Sequence, residues 1–225
     1  MKPLSQRLET IATLVPNGAR VCDIGCDHGY LAIYLRLKNI AKSVIAADLN
    51  ELPLERAKAN IKKLNADNID LRLCDGLSGI DKSEVDTIII AGMGGNVIAG
   101  IIERCEWAKN NDLTFVLQPT TSAEVLREFL CKNGFNIVSE TVVYENDKLY
   151  SVMLVNFTNE IKVMENGFYY IGKVTPHTEY GVKYIKKQQK RLYAAAKALE
   201  AIPEKHAEYL EFKSASDYIT RILTE

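Results

Sequence analysis

The sequence predicts an α/β protein: a mostly parallel sheet with helices on both faces, carrying a helical appendage at its C-terminal end. Three observations support this. Strand-like apolar runs alternate with helix-period segments from residue 19 to residue 134. Two strand-like runs, "FNIVSETVVYEN" and "KLYSVMLVNF", then follow each other directly across Asn146-Asp147, a hairpin that puts an antiparallel strand into the sheet. After residue 160 the pattern changes to two long helix-period stretches interrupted at Pro203. The expected division is residues 1–160 for the sheet domain and 161–225 for the helical extension.

The elements follow in order. Leu4, Leu8, Ile11 and Leu14 or Val15 recur at helical spacing, and Pro16-Asn17-Gly18 ends that opening helix. "ARVCDIG" reads as the first strand and "YLAIYLRLK" as a helix. "SVIAADL" is the second strand, before a helix with Pro53 in its first turn. "IDLRLCDG" and "VDTIIIAGM" are the third and fourth strands, and a helix runs from Gly95 to Trp107. "LTFVLQP" is the fifth, before "SAEVLREFLCKNG", a helix closed by Gly134. The stretch 159–181 reads as loop. In "VKYIKKQQKRLYAAAKALEA", Val182, Ile185, Leu192, Ala196 and Leu199 form a narrow apolar seam, so this helix and the one after Pro203 are expected to fold back as an antiparallel hairpin.

Composition bounds the function. The chain has 225 residues, 47% hydrophobic and 25% charged, with a net charge of −1, so overall charge selects no polyanion and only local clusters carry information. Apolar runs are strand-length and the first fifteen residues contain no signal-peptide core, which predicts a cytoplasmic location. Cys22, Cys26, Cys74, Cys105 and Cys131 are scattered and are expected to be reduced and mostly buried. Cys22 and Cys26 lack C-x-x-C spacing, and His177 and His206 lack ligand spacing, so no metal is expected.

The turn after the first strand, "DIGCDHGY", carries the chemistry. A dinucleotide fingerprint would read G-x-G-x-x-G from Gly25, but Asp27 and Tyr30 occupy the other two glycine positions. A carboxylate there repels a pyrophosphate. S-adenosylmethionine has no phosphate and carries an ammonium and a sulfonium, which suit Asp23 and Asp27. Asp48, at the end of the second strand and followed by Leu49 and Asn50, stands where an acid reads a ribose diol. Asp75, in "LCDGL" between Cys74 and Gly76, can accept from an adenine amine. Cys26, His28 and Tyr30 complete the first turn. Ala91, Gly92, Met93 and Gly94 form the loop after the fourth strand, whose glycines leave room for close approach to the backbone. A structural reading also exists for each feature: Asp caps helices and turns, and glycines serve packing.

The motifs "LSQRLETIATLVPNG", "DIGCDHGYLAIYL", "IIIAGMGGNVI" and "LQPTT" resemble the bacterial TrmK family, from residue 4 to about 155. The resemblance implies a class I methyltransferase fold with a Rossmann-like seven-stranded sheet. It also implies S-adenosylmethionine as cofactor, N1 of the adenosine at position 22 of tRNA as acceptor, and a helical C-terminal extension. This chain departs from the family pattern at Cys26, Gly29, Ala32 and Asp48, in ways that keep size or charge.

Adenine N1 has a lone pair at neutral pH, so the reaction needs alignment and stabilisation of a cationic product rather than a strong base. Asp27 is the first catalytic candidate, as acceptor from the N6 amine, and Gln118 the second, unless it caps the next helix. N1 lies on the Watson–Crick edge, so the base must leave its pair. Tyr30, Tyr144 and Tyr150, with Pro119, are candidates to hold it. Lys186, Lys187, Lys190 and Arg191 form a basic face for phosphates, or a solvated helix face, and Arg7 can reach the rim of the site. The expected partner is tRNA, with no membrane and no metal, and the chain is expected to act as a monomer. A methyltransferase for another RNA, a small molecule or a protein, and an RNA-binding protein with a degenerate site, are the competing readings.

Overall fold

A computed structural model describes residues 3–224. Seven strands form one sheet in the order β3-β2-β1-β4-β5-β7-β6. They are β1 Ala19–Ile24, β2 Ala41–Asp48, β3 Ile69–Leu73, β4 Thr87–Gly94, β5 Thr114–Thr121, β6 Phe135–Glu145 and β7 Lys148–Phe157. Only β7 runs against its neighbours β5 and β6; the other pairings are parallel. Asn146 and Asp147 both have positive φ, the conformation a two-residue hairpin turn requires, and Asn and Asp tolerate it best.

The sheet is central because its middle strands are apolar on both faces: Ile88, Ile89 and Ile90 are fully buried in succession. One face is covered by α1 (Gln6–Thr13), α2 (Tyr30–Leu37) and α3 (Glu51–Leu64). The other is covered by α4 (Gly95–Glu103) and α5 (Ala123–Lys132). Helix α4 stops four residues short of the expected Trp107, and a separate 3₁₀ turn, Glu106–Ala108, follows it. Strand numbering runs outward in opposite directions from β1 and β4. The gap outside their C-terminal ends is therefore the switch point where doubly wound sheets bind ligands.

The C-terminal region holds α6 (Asn166–Ile171), α7 (Glu179–Leu199) and α8 (His206–Thr224). Helix α6 lies where a loop was expected. Six residues are too few to show a period, but Phe168, Tyr169 and Ile171 are buried and give it a core face. Ile185 and Leu192 of α7 are buried and belong, with Ala215 and Ile219 of α8, to a separate cluster that also takes in Val142 and Leu149 of the strand hairpin; Ala196 of α7 is buried as well.

One side chain ties this region to the sheet. Arg127 on α5 is wholly buried. Its Nε and Nη2 donate to Glu140, Nη1 donates to the Tyr169 and Tyr170 carbonyls at 2.8 and 3.0 Å, and Nη2 also reaches Ser151 and the Tyr184 hydroxyl. Gly172 closes the space over this cluster at φ +60°. A Cβ there would collide with the Glu140 carboxylate and the Arg127 guanidinium.

Candidate functional site

A cleft of ≈ 340 Å³ opens at the switch point. From β1 and the turn after it come Asp23, Gly25, Cys26, Asp27 and His28, and Tyr30 follows at the start of α2. Ala91 and Gly92 come from β4, and Arg7 and Leu8 from α1. The turn is tightly bent: Gly25, Asp27 and Gly29 have φ of +74°, +47° and +70°. The position where a dinucleotide fold has its second glycine thus keeps a left-handed backbone, and aspartate is one of the few side chains that adopts it cheaply. At Gly25 a Cβ would meet the Met93 methyl, a flexible end that can move aside, so the left-handed backbone is what favours glycine there.

Asp23 is the unusual residue. It sits inside an apolar strand, is only 4% exposed, and no hydrogen bond contributes to its ionisation. Burial first, and then the neighbouring charge of Asp48, push its pKa up to about 7. A buried carboxylate that accepts no hydrogen bond among the described residues, at the wall of a cleft, would favour a cation beside it. Asp27, by contrast, is exposed, with His28 Nε2 at 3.6 Å from its carboxylate. His28 stacks on Tyr30 with ring centroids 5.4 Å apart, and its carbonyl accepts from Asn60. Burial and the acids Asp23 and Asp48 push the Cys26 thiol up, so it stays protonated at neutral pH and offers no nucleophile.

The remaining acids stand along the same rim but outside the cleft. Asp48 ends β2 and accepts from the Asn50 amide at 3.0 Å, in a turn that leaves Leu49 and Asn50 exposed at the start of α3. Asp75 lies two residues past β3, beside half-buried Cys74 and buried Gly76. It accepts from Arg104 at 3.3 Å and borders a second hollow of ≈ 350 Å³ that also contains Trp107. All five cysteines are free.

Gln118 is fully buried at the end of β5. Its Oε1 accepts from Arg7 Nη1 at 2.7 Å and from the Gly92 amide at 3.1 Å, and its Nε2 donates to the Pro119 carbonyl at 2.8 Å. It does not cap α5, whose N-cap is Ser122. Both ends of its amide are occupied, so Gln118 acts on the cleft through Arg7 and the Gly92 loop. Sequence reasoning missed Glu145, which accepts from the Arg7 amide at 3.1 Å and from the Arg7 guanidinium at 3.3 Å. Burial opposes ionisation of Glu145, but hydrogen bonds from Ser5 and Arg7 hold its carboxyl below the usual range. Leu8 and Leu31, also in the cleft, look in the sequence like any core leucine.

The residues expected to meet RNA divide into groups. Tyr150 lies under the Arg7 guanidinium at 5.9 Å. Pro119, Tyr150, Lys187 and Arg191 share one groove. Tyr144 is at the hairpin tip, bonded to Asp147 at 2.7 Å and stacked on Tyr180 at 5.7 Å, away from that groove's lining. Lys186 and Lys190 are exposed on α7. Among the described residues no helix is long and apolar enough to span a membrane, and no cluster of His, Cys, Asp or Glu is arranged to hold a metal ion.

A doubly wound sheet with an antiparallel seventh strand inserted between the fifth and sixth, and an acid rather than a phosphate cradle at its switch point, defines a class I methyltransferase fold. The comparisons agree. A model of the methyltransferase domain family matches residues 4–153. The tRNA (adenine(22)-N(1))-methyltransferase of Bacillus subtilis is 40% identical over 153 residues, which are 67% of this chain and 64%, just under two thirds, of that one. The crystal structure of the B. subtilis m1A22 tRNA methyltransferase TrmK superposes with a TM-score of 0.88 at 26% identity, over 99% of this chain and 100% of that one. The M. capricolum TrmK, solved with S-adenosyl-homocysteine, gives a TM-score of 0.80 at 26% identity over 98% of both chains. The chain belongs to the TrmK family.

Proposed function

We infer that this protein transfers the methyl group of S-adenosylmethionine to N1 of an adenosine in tRNA, the nucleotide at position 22. The observation that carries the reading is Asp23: a buried carboxylate that accepts no hydrogen bond among the described residues, at the wall of the cleft at the switch point. That donor set fits a cationic, phosphate-free cofactor and opposes a dinucleotide. Family membership supports it, as do relatives that carry the acceptor in their names.

When bound, the cofactor supplies an electrophilic methyl group on sulfur. Asp23 and the first turn would hold its charged amino-acid end, and Asp48 its ribose. Arg7, Gln118 and Gly92 fix the far wall as one hydrogen-bonded unit, so the base meets a preorganised surface. Asp27 is exposed beside that wall. Accepting from the adenine N6 amine, it raises electron density at N1 and stabilises the cationic product without removing a proton beforehand. The basic face of α7 supplies phosphate contacts.

The test is mass spectrometry of nucleosides from tRNA incubated with enzyme and S-adenosylmethionine. The expected product is 1-methyladenosine, lost when position 22 is changed to guanosine. Methylation elsewhere, or on protein or small molecules alone, overturns the reading.

A further inference from the structure

Three segments distant in the chain build a groove that no single stretch of the sequence announces. It is a hollow of ≈ 400 Å³ between the end of β5, the start of β7 and α7. Thr120 and Thr121 form one side, Lys187, Gln188 and Arg191 the other, and Tyr150 stands between them.

The groove is continuous with the cofactor cleft through two direct contacts. The Thr120 hydroxyl donates to the Met93 carbonyl at 3.1 Å, and Thr121 pairs with Gly94 in the β4–β5 ladder, so the groove wall is the back of the glycine loop. Tyr150 lies under the Arg7 guanidinium, and Arg7 lines the cleft.

Its chemistry is that of a polyanion site. Two cations face it against one carboxylate, Glu124, and Glu124 is already held by Arg191 at 3.0 Å. Arg191 is further engaged over the Tyr170 ring at 5.3 Å. Lys187 is exposed and makes no ion pair among the described residues, so it is the cation left over. The exposed Thr121 hydroxyl and the Gln188 amide add neutral donors suited to phosphate oxygens and ribose hydroxyls.

We propose that this groove holds the ribose–phosphate strand adjoining the target nucleotide, with Lys187 as its phosphate contact; this rests on the tRNA reading above. The strand enters between α7 and the β5 end, and the target base turns past Tyr150 into the cleft. It narrows RNA contact from the whole basic helix to one turn of it.

The experiment compares wild-type protein with Lys187→Glu and with Lys213→Glu, an identical charge change at an exposed position on α8. Equilibrium binding of tRNA is measured over a range of salt, alongside cofactor affinity and methylation. Lys187→Glu is expected to weaken tRNA binding about five- to tenfold at 0.15 M salt and to reduce the log–log salt slope by about one. Lys213→Glu should stay within about twofold of wild type, since distributed charge alone steers weakly at that salt. Cofactor affinity should be the same in all three. Equal tRNA affinities for the two variants overturn the groove, even if the wild type makes 1-methyladenosine. Wild-type protein that binds tRNA with the expected difference but makes no 1-methyladenosine leaves the groove standing and overturns the activity. Wild-type protein that binds no tRNA overturns both.

Discussion

Arg127 and Glu140 form an ion pair in which neither side chain reaches solvent, with Nη2 and Oε2 2.9 Å apart. It joins α5 to β6, and its remaining hydrogen bonds hold the carbonyls at the end of α6 and the hydroxyl of Tyr184 on α7. Removing one partner leaves a buried charge uncompensated. Arg127→Met is therefore expected to destabilise by about 3–5 kcal/mol in urea unfolding. The double change Arg127→Met/Glu140→Leu should recover more than half of that, the remainder reflecting the undonated Tyr169 and Tyr170 carbonyls. A double variant as unstable as the single one shows that the charge pair is not the source of the loss.

Asp23 is expected to make cofactor affinity depend on pH. Its folded-state pKa of about 7 lies above the ordinary carboxylate value of 3.8, so the cofactor-free protein binds a proton there that the unfolded chain releases. Stability from this group is therefore present at low pH and lost as pH rises towards and through 7. Asp23→Asn should stabilise the free protein at pH 8 by on the order of 2–4 kcal/mol, and much less at pH 5. Binding a cation there expels the proton. Calorimetric titration should show affinity falling by up to about tenfold per pH unit below 7 in the wild type, and weak, flat binding in Asp23→Asn. A flat wild-type profile would remove Asp23 from the cation site.

Gln118 should behave as a positioning residue. Gln118→Leu leaves the Gly92 amide and the Arg7 guanidinium without their shared acceptor, and is expected to cost about 1–3 kcal/mol of stability. Turnover should fall with it. Loss of turnover with unchanged melting would mean that Gln118 touches the base directly.

Asp27 is proposed to act in the transition state. Asp27→Asn keeps the left-handed turn, since asparagine adopts positive φ as readily, and removes only charge. Turnover should fall by at least about tenfold while cofactor affinity changes little. Equal losses in both would make it a binding residue.

The strands and the helices of the sheet domain were legible because each buries a face that its spacing advertises. Asp23 drew notice because a carboxylate in the "DIGCDHGY" turn suits a cationic, phosphate-free cofactor, and it does stand at the wall of the cleft. Arg127 looked like one more charged residue on an amphipathic helix, because nothing in "EVLREFL" reveals that Glu140, Ser151 and Tyr184 converge on it. Glu145 and the groove at Lys187 were hidden in the same way, since both exist only through contacts between distant segments. Helix α6 failed for want of length.

The Arg7–Glu145 clamp spans 138 positions of the chain. A ribosome therefore releases the opening helix long before the carboxylate that fixes it, and the wall of the cleft that Arg7 forms has no anchor until the strand hairpin has emerged. A nascent chain cut short before residue 145 carries the whole "DIGCDHGY" turn and still lacks a closed cleft. Closure of that wall thus waits until almost two thirds of the protein exists.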